Sequence, residues 1–268
     1  MVQEMKLTSK NYYSQKANQA YFSVSQIKDF MKCEAMAMAK INGEWSEPPT
    51  AAMMIGSYVD AYFEGTLDNF KNENPEIFKK DGSLKSDYIK AEKIIERCKS
   101  DELFMMCMSG EKQVIMTGEL FGAKIKIKMD SYIKHELIND LKIIANLRDV
   151  SYAYVGRQAI KQSFIEKWGY DLQLAVYQEV VRQNTGEVLP CTISAADKGE
   201  YTDIACILIP DDQLHFQLYK NGLDFKIHRY LQVKNFNEEP IRCEHCNYCK
   251  ATRKLDRLIT PDELIIFN

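Results

Sequence analysis

Two aspartates and a lysine fall on neighbouring predicted strands, where their side chains could meet. Asp130 ends one alternating segment, and Asp140 and Lys142 share a face of the next, because strand side chains two residues apart point the same way. If these segments form a hairpin, Asp130 and Asp140 approach each other, and two like charges that close require a counter-charge. A hard cation such as Mg²⁺ or Mn²⁺ meets that need, with the Leu141 carbonyl as a third oxygen ligand.

Lys142 would point into the same site, where a lysine can orient a metal-bound water or stabilise charge developing on a phosphate. The alternative is that all three residues belong to half-exposed strands whose polar faces meet water. That alternative is the simpler interpretation for any one of them alone. The spacing among the three, together with motifs elsewhere in the chain, favours the site.

Four segments, in chain order, resemble motifs of the PD-(D/E)XK nuclease superfamily and of its RecB-like branch. Asp130, followed by Asp140-Leu141-Lys142, resembles the D…(D/E)-x-K core. Gln173 to Tyr177 is similar to the Q-x-x-x-Y helix motif, whose two named residues share one helix face. Upstream, Ser23 to Cys33 resembles the S-x-S-x-L-x-x-[FY]-x-x-C opening, and Gly56 to Asp60 resembles the G-x-x-[VL]-H helix. The likeness extends to the RecE-like phage exonucleases of the exodeoxyribonuclease VIII type.

The resemblance implies a metal-dependent exodeoxyribonuclease that hydrolyses phosphodiester bonds at double-stranded DNA ends during phage-type recombination. It implies a homo-oligomer and, as a partner, a RecT-type annealing protein. The residues that it implies for catalysis are Asp130, Asp140, Lys142, Gln173 and Tyr177. The metal ligands that it implies are Asp60, Asp130, Asp140 and the Leu141 carbonyl.

Asp60 is a departure, because the family often has histidine at this position. A carboxylate is a harder ligand that suits Mg²⁺, so we expect the role to survive with an altered metal preference. The substitution also leaves open a non-catalytic DNA-binding or assembly protein that retains the fold. An endonuclease of the restriction type, in the same superfamily, is disfavoured by the Q-x-x-x-Y motif. The chain has no G-x-x-x-x-G-K-[ST] loop, so no nucleotide cofactor is expected.

Three lysines on the Asp130 strand are candidates for DNA contact. Lys124, Lys126 and Lys128 are in phase with Asp130 and could line the approach of a phosphate backbone; an exposed strand face is the alternative. The net charge of −3, from 35 basic and 38 acidic residues, requires any nucleic-acid site to be a local patch. No base-reading element stands out, so sequence-independent DNA binding is expected. Glu119 and His135 are weaker candidates, better explained as a solvated strand end and an exposed turn histidine.

Three cysteines, Cys243, Cys246 and Cys249, lie within seven residues near the C-terminus. Several RecB-like nucleases hold a [4Fe–4S] cluster with one cysteine near the N-terminal motif and three near the C-terminus, and Cys33 matches the first position. The last gap here is shorter than in those relatives, and His245 leaves a zinc site open. A metal-free trio of thiols is the remaining alternative. A metal here would pin the C-terminal tail to the first helix.

The order of the helices and strands that must position these residues predicts an α/β fold. The chain of 268 residues has the 46% hydrophobic and 27% charged composition of a globular protein. We expect a single PD-(D/E)XK nuclease domain over 1–268, with a central mixed sheet flanked by helices, as in restriction endonucleases. Its parts are an N-terminal helical part (1–110), the sheet and catalytic core (111–210), and a C-terminal helix with a Cys-rich tail (211–268).

The individual elements follow from periodicity and capping residues. The predicted helices cover 23–41, 50–64, 86–98, about 155 or 159 to 182 with an interruption near 169, and 210–234. The predicted strands cover 113–120, 123–130, 136–143, 189–196 and 201–208, and residues 66–83 are predicted to form a polar surface excursion. The apolar run Ala205 to Ile209 is far shorter than the ~20 residues of a membrane span, and no secretory signal is recognisable. A cytoplasmic, bacterial or phage-encoded protein is therefore expected.

Overall fold

The structure is a computed structural model that describes residues 5–264. Its first part is helical, and the helix starts follow from capping side chains. Ser23 and Thr50 each accept a hydrogen bond from a backbone amide three residues on, which fixes the starts of two helices. The helices before the sheet are α1 (Gln15–Ala20), α2 (Val24–Lys32), α3 (Glu34–Ile41), α4 (Ala51–Glu64), α5 (Leu67–Glu73), α6 (Ser86–Lys99) and α7 (Glu102–Cys107).

Two predictions for this part need correction. The helix predicted over 23–41 is two helices, because Cys33 adopts an extended backbone between α2 and α3. The surface excursion predicted over 66–83 contains α5 and a 3₁₀ turn, Pro75–Ile77. Ile77 is fully buried in a hydrophobic cluster with α4 and α6, so this segment covers part of the core.

Within residues 5–264, the strands form one four-stranded sheet and two separate two-stranded sheets. They are β1 (Val114–Leu120), β2 (Ala123–Met129), β3 (Ser131–Ile133), β4 (Leu137–Ile144), β5 (Ser151–Val155), β6 (Gln158–Gln162), β7 (Cys191–Asp197) and β8 (Ile204–Ile209). The four-stranded sheet has the order β3-β4-β7-β8, in which only β4 and β7 are parallel. The predicted central mixed sheet flanked by helices is confirmed.

Asp130 is the single residue between β2 and β3, where the chain leaves one sheet and enters another. β2 pairs with β1, whereas β3 pairs with β4, with Ser131 opposite Asn139. The expected hairpin therefore forms through the short β3 rather than through the longer strand before it. This register brings Asp130 beside Asp140 and Leu141 of β4.

The remaining helices cover the sheet and the C-terminal part. They are α8 (Phe164–Trp168), α9 (Tyr170–Thr185), α10 (Asp211–His215), a π-helical turn (Phe216–Lys220), α11 (Leu223–Lys234) and α12 (Asn247–Ala251), followed by a 3₁₀ turn (Pro261–Leu264). The α9 helix lies in the connection between the parallel strands β4 and β7, which requires such a crossover. Its buried face joins the largest hydrophobic cluster of the described residues.

The prediction that a long helix begins at about residue 155 or 159 was wrong. Residues 151–162 form the β5–β6 hairpin, with Gly156 at a φ of 61° in its turn. The interruption predicted near Gly169 is confirmed, since its left-handed backbone separates α8 from α9. The helix predicted over 210–234 is also divided, with Gly222 at the start of α11. Within residues 5–264, no helix combines the length and apolarity needed to cross a membrane.

Candidate active site

One cavity of about 460 Å³ gathers the acidic and polar residues that the motifs single out. It opens between the first helices and the edge where β2, β3 and β4 meet. The predicted site residues among its lining are Asp60, Asp130, Asp140, Leu141, Lys142, Gln173 and Tyr177. Residues that are far apart in the sequence therefore share one site.

Asp130 is held by the backbone of the neighbouring strand. The Leu141 amide donates a hydrogen bond of 2.9 Å to Asp130 Oδ2, and the Gln113 side-chain amide lies 3.4 Å from Oδ1. Burial, followed by repulsion from the Asp140 carboxylate, raises the pKa of Asp130 to about 7. A cation bound at this carboxyl group would offset both effects and stabilise its charged form.

Asp140 is fixed on its other side by the Q-x-x-x-Y helix. Gln173 Nε2 donates to Asp140 Oδ1 at 2.8 Å and lies 3.1 Å from the Tyr177 hydroxyl oxygen. The Tyr177 hydroxyl in turn donates to the Lys128 carbonyl at 3.0 Å. One turn of α9 thus ties the β4 carboxylate to the backbone of β2, as the i, i+4 spacing predicts.

Lys142 places a positive charge beside Asp140. Its ammonium forms an ion pair with Asp140 Oδ2 and lies 4.9 Å from the centre of the Tyr170 ring. Burial alone would lower the pKa of Lys142, but attraction by Asp140 and Asp130 outweighs it, and the pKa is raised. Lys142 therefore stays charged, which suits a residue that faces a phosphate.

Asp60 reaches the same cavity from α4. Burial, followed by repulsion from Asp130, raises its pKa well above the ordinary range. Glu64, one helical turn further on, also lines the cavity and adds to that repulsion. Glu64 was not predicted from the sequence, although its i, i+4 spacing from Asp60 places both residues on one helix face.

Three further residues of the site were also missed. Gln113 sits at a left-handed φ of 55° beside Asp130, and Tyr170 presents its ring to Lys142. Lys28 of α2 also lines the cavity, with its ammonium 5.2 Å from the Tyr170 ring centre. Burial, followed by the nearby Lys142, lowers the pKa of Lys28 to about 8. No spacing in the sequence linked these three residues to Asp130.

The donor set fits a hard divalent cation. Asp60, Asp130 and Asp140 bring three carboxylates into one partly buried cavity, where burial, followed by repulsion between the carboxylates, raises the pKa values of Asp60 and Asp130. Lys142 compensates for part of that repulsion through Asp140. Oxygen ligands with this charge suit Mg²⁺ or Mn²⁺, and the Leu141 carbonyl is a further ligand that we propose.

The three lysines of β2 have different environments. Lys124 is exposed and Lys128 is half-buried at the cavity, but Lys126 is only 1% exposed. The Lys126 ammonium donates to the Tyr12 carbonyl and, at 2.7 Å, to Asn18 Oδ1. The expectation of three lysines on an open face was wrong for Lys126, because the N-terminal segment packs over the middle of the strand.

The two weaker candidates lie outside the residues that line this cavity. Glu119 is exposed near the end of β1, and its backbone N–H donates to Gln183 Oε1 at 2.8 Å while its carbonyl accepts from Gln183 Nε2 at 2.7 Å. His135 is exposed in the turn before β4, where its ring nitrogen lies 2.8 Å from the Glu187 carboxylate. Both positions agree with the simpler interpretations given from the sequence.

A second set of chemically active residues lies near the C-terminus. The sulfurs of Cys33, Cys243, Cys246 and Cys249 all lie within 4.8 Å of one another. The backbone amides of the three C-terminal cysteines donate to sulfurs of the set, at 3.3 to 3.5 Å. Burial alone would raise the pKa of Cys243, but hydrogen bonds from the backbone of His245 and Cys246 outweigh it and lower the pKa to about 6.

This donor set fits a metal held by four thiolates. A tetrahedral zinc ion with Zn–S bonds of ~2.3 Å would place its sulfurs about 3.8 Å apart. A four-iron cluster interposes an iron at every thiolate and would require the sulfurs to move apart. His245 contributes no atom to the set. The set joins the α2–α3 junction to α12, as the resemblance implied.

The geometry agrees with the comparisons to known proteins. Residues 23–252 match the family described as PDDEXK-like domain of unknown function (DUF3799). The chain belongs to this family. The match includes Asp60, Asp130, Asp140 and Lys142 of the candidate active site and the four cysteines, and it confirms the resemblance to PD-(D/E)XK nucleases.

A solved structure supports the same conclusion. The chain is similar to a protein from Eubacterium rectale that is provisionally named an exonuclease, with 49% sequence identity and a TM-score of 0.92. The similarity covers 98% of this chain and 99% of that one. Among curated proteins, none matches the chain.

Proposed function

We propose that the protein is a metal-dependent exodeoxyribonuclease that processes double-stranded DNA ends. The observation that carries this proposal is the convergence of Asp60, Asp130 and Asp140 beside Lys142 in one cavity. The membership of a PDDEXK-like family supports hydrolysis of nucleic acid, and the name of the Eubacterium rectale relative supports the exonuclease type. Asp60, where the family often has histidine, offers a carboxylate oxygen, so a ligand for a hard cation is kept at this position.

The roles of the residues follow from their contacts. Asp60, Asp130, Asp140 and the Leu141 carbonyl would hold Mg²⁺ or Mn²⁺. Such an ion, when bound, supplies a water of lowered pKa and positive charge at the phosphate. Lys142 orients the attacking water and offsets charge that develops on the phosphate oxygens.

Gln173 and Tyr177 act through other groups. The Gln173 amide fixes one oxygen of Asp140, which leaves the other oxygen beside Lys142. Tyr177 fixes the position of Gln173 and binds the β2 backbone two residues before Asp130. Both residues therefore hold the carboxylate in the orientation that metal binding needs.

We further propose roles for the strand β2 lysines, the cysteine set and partner proteins. Lys124 and Lys128 would contact the phosphate backbone without reading the base sequence. The cysteine set would hold zinc or a [4Fe–4S] cluster in a structural role. The resemblance to RecE-like enzymes supports a homo-oligomer in phage-type recombination, whose single-stranded product passes to a RecT-type annealing protein.

Degradation of linear and of covalently closed duplex DNA tests the proposal. Wild type and Lys142→Ala are compared with Mg²⁺, Mn²⁺ or EDTA, and Lys134→Ala, an exposed lysine in the β3–β4 turn, is the control. We expect wild type and the control to degrade linear DNA only, in a reaction that requires metal and is lost in Lys142→Ala. Cutting of closed circles would show an endonuclease instead. DNA binding without cleavage under either metal would show a binding protein that retains the nuclease fold.

A further inference from the structure

An exposed tyrosine stands at the rim of the candidate active site. Tyr13 is 68% exposed and lines the cavity that contains Asp130 and Asp140. It also lines a neighbouring cavity of about 440 Å³, which shares Asp60 with the first. Tyr13 therefore lies where the two openings meet, next to the acidic residues.

The backbone around Tyr13 is firmly held, although its ring is not buried. Asn18 Nδ2 donates to the Tyr13 carbonyl at 3.2 Å, while Asn18 Oδ1 accepts from the buried Lys126. The preceding Tyr12 is buried, and its ring meets the Tyr13 ring edge-on, with centroids 5.0 Å apart. The exposed Tyr13 ring adds little to the hydrophobic core. Because its backbone is held in place, the ring is well placed to contact a ligand.

A cation accompanies this ring. The Lys128 ammonium lies 4.8 Å from the centre of the Tyr13 ring, and Lys128 is half-buried at the cavity. Lys128 precedes Asp130 by two residues, and both residues line the same cavity. An aromatic face, a cation and a metal-binding carboxylate therefore follow one another along the cavity.

We infer that Tyr13 and Lys128 form a nucleotide-binding subsite. The Tyr13 ring stacks on a nucleobase, and the Lys128 ammonium binds an adjacent phosphate, which positions the strand for cleavage at Asp130 and Asp140. Every base has a π-face, so such a subsite accepts any sequence. Inside a duplex both faces of a base are covered by its neighbours, so a base stacks on Tyr13 either at the duplex end or after the strand has separated from its complement. This inference rests on the proposed function and specifies how its substrate is held.

Fluorescence of 2-aminopurine tests the subsite without requiring cleavage. The probe is a duplex with a single-stranded end that carries 2-aminopurine at one position at a time, bound in EDTA to Lys142→Ala protein. We expect quenching at one position, its loss on adding Tyr13→Ala, and its retention with Tyr13→Phe or Tyr13→Trp. Tyr154→Ala is the matched control, because Tyr154 is 75% exposed on the β5–β6 hairpin and lines neither cavity.

Cleavage kinetics provide the second measurement, in protein that keeps Lys142. Tyr13→Ala should raise KM for DNA roughly 5- to 150-fold with kcat little changed, as expected for the loss of one stacked base. Unchanged quenching and KM in Tyr13→Ala, while wild type still cuts DNA, would overturn the subsite alone. Tyr13-dependent quenching in a wild-type protein that cuts no DNA would overturn the proposed function and leave the subsite standing.

Discussion

The Leu141 amide donates a 2.9 Å hydrogen bond to the Asp130 carboxylate, so the residue between Asp140 and Lys142 holds the other aspartate in place. The two carboxylates are thereby fixed close together, before any cation is considered. Burial, and then the charge of Asp140, raises the pKa of Asp130 to about 7. The arrangement favours metal binding at some cost to the stability of the metal-free protein.

The first prediction concerns the pH dependence of that cost. An unfolded chain releases the Asp130 proton near pH 3.8, whereas burial and Asp140 raise the pKa in the folded protein to about 7. Its contribution to stability is therefore present below the unfolded pKa and is lost as the pH rises through 7. In EDTA, the Tm of wild type should fall relative to that of Asp130→Asn between pH 5 and 8. The corresponding change in the free energy of unfolding of wild type, relative to Asp130→Asn, should reach at least about 1 kcal/mol, because one pKa unit corresponds to about 1.36 kcal/mol.

A matched substitution separates this effect from general charge changes. Asp256→Asn removes an exposed carboxylate and should leave the pH profile of Tm as in wild type. Addition of Mg²⁺ should raise the Tm of wild type at pH 8 more than that of Asp130→Asn, since the ion compensates for the charge that the variant lacks. Parallel Tm profiles for wild type and Asp130→Asn in EDTA would contradict the prediction.

The second prediction concerns the link between Gln173 and Asp140. Gln173→Ala removes the 2.8 Å hydrogen bond to Asp140 Oδ1 and should lower kcat about 10- to 100-fold, as is usual for groups that orient metal ligands. Tyr177→Phe removes the hydroxyl near Gln173 and should lower kcat less. Because both act through one contact chain, the double variant should resemble Gln173→Ala alone. Gln178→Ala is the control, since Gln178 contacts the Leu189 carbonyl and Asp211 instead. Additive effects of the two substitutions would show that they act independently.

Local periodicity was sufficient for the centre of the site. Strand alternation placed Asp140 and Lys142 together, and helical spacing placed Gln173 and Tyr177 together, because these relationships depend only on nearby backbone geometry. The same rule, applied to Asp60, would have found Glu64. These predictions did not need to know how the elements pack.

Tertiary packing decided what the sequence could not predict. Alternation placed Lys126 on an open strand face, but Tyr12, 114 residues earlier, covers that position. The β5–β6 hairpin was mistaken for the start of a helix, because a short segment with mixed periodicity does not distinguish the two. Cys33 interrupts a helical pattern in order to face sulfurs more than 200 residues away, as its 3.6 Å approach to Cys249 shows.

The third prediction concerns the four cysteines. Cys249→Ser replaces a fully buried thiol of the set and should abolish the bound metal measured per chain by elemental analysis. Metal affinity contributes directly to folding free energy, so we expect Tm to fall by roughly 10 °C. Visible absorbance of the wild type would identify an iron–sulfur cluster, whereas a colourless protein with bound zinc would identify a single ion. Cys206→Ser, outside the set, should retain the metal. Equal metal content in wild type and Cys249→Ser would exclude the site.

The fourth prediction concerns the buried Lys126. Lys126→Met keeps the length of the side chain but leaves the Tyr12 carbonyl and Asn18 Oδ1 without this donor, which should cost about 1–3 kcal/mol. Lys124→Met, on the exposed part of the same strand, should change stability much less. Tyr13 follows Tyr12 directly, so the Lys126 variant should also raise KM for DNA.

The pH profile of Lys126→Met distinguishes a lost hydrogen bond from a lost charge. Burial lowers the pKa of Lys126 to about 8, so the folded protein releases this proton before the unfolded chain does, at its ordinary 10.5. The cost of burying its charge, which opposes the gain from the two hydrogen bonds, is complete below pH 8 and disappears as the pH rises towards 10.5. The stability of wild type relative to Lys126→Met should therefore increase across that interval, as chemical denaturation at each pH would measure. A constant difference would mean that Lys126 keeps its charge inside the fold, held by the Tyr12 ring 4.6 Å from its ammonium.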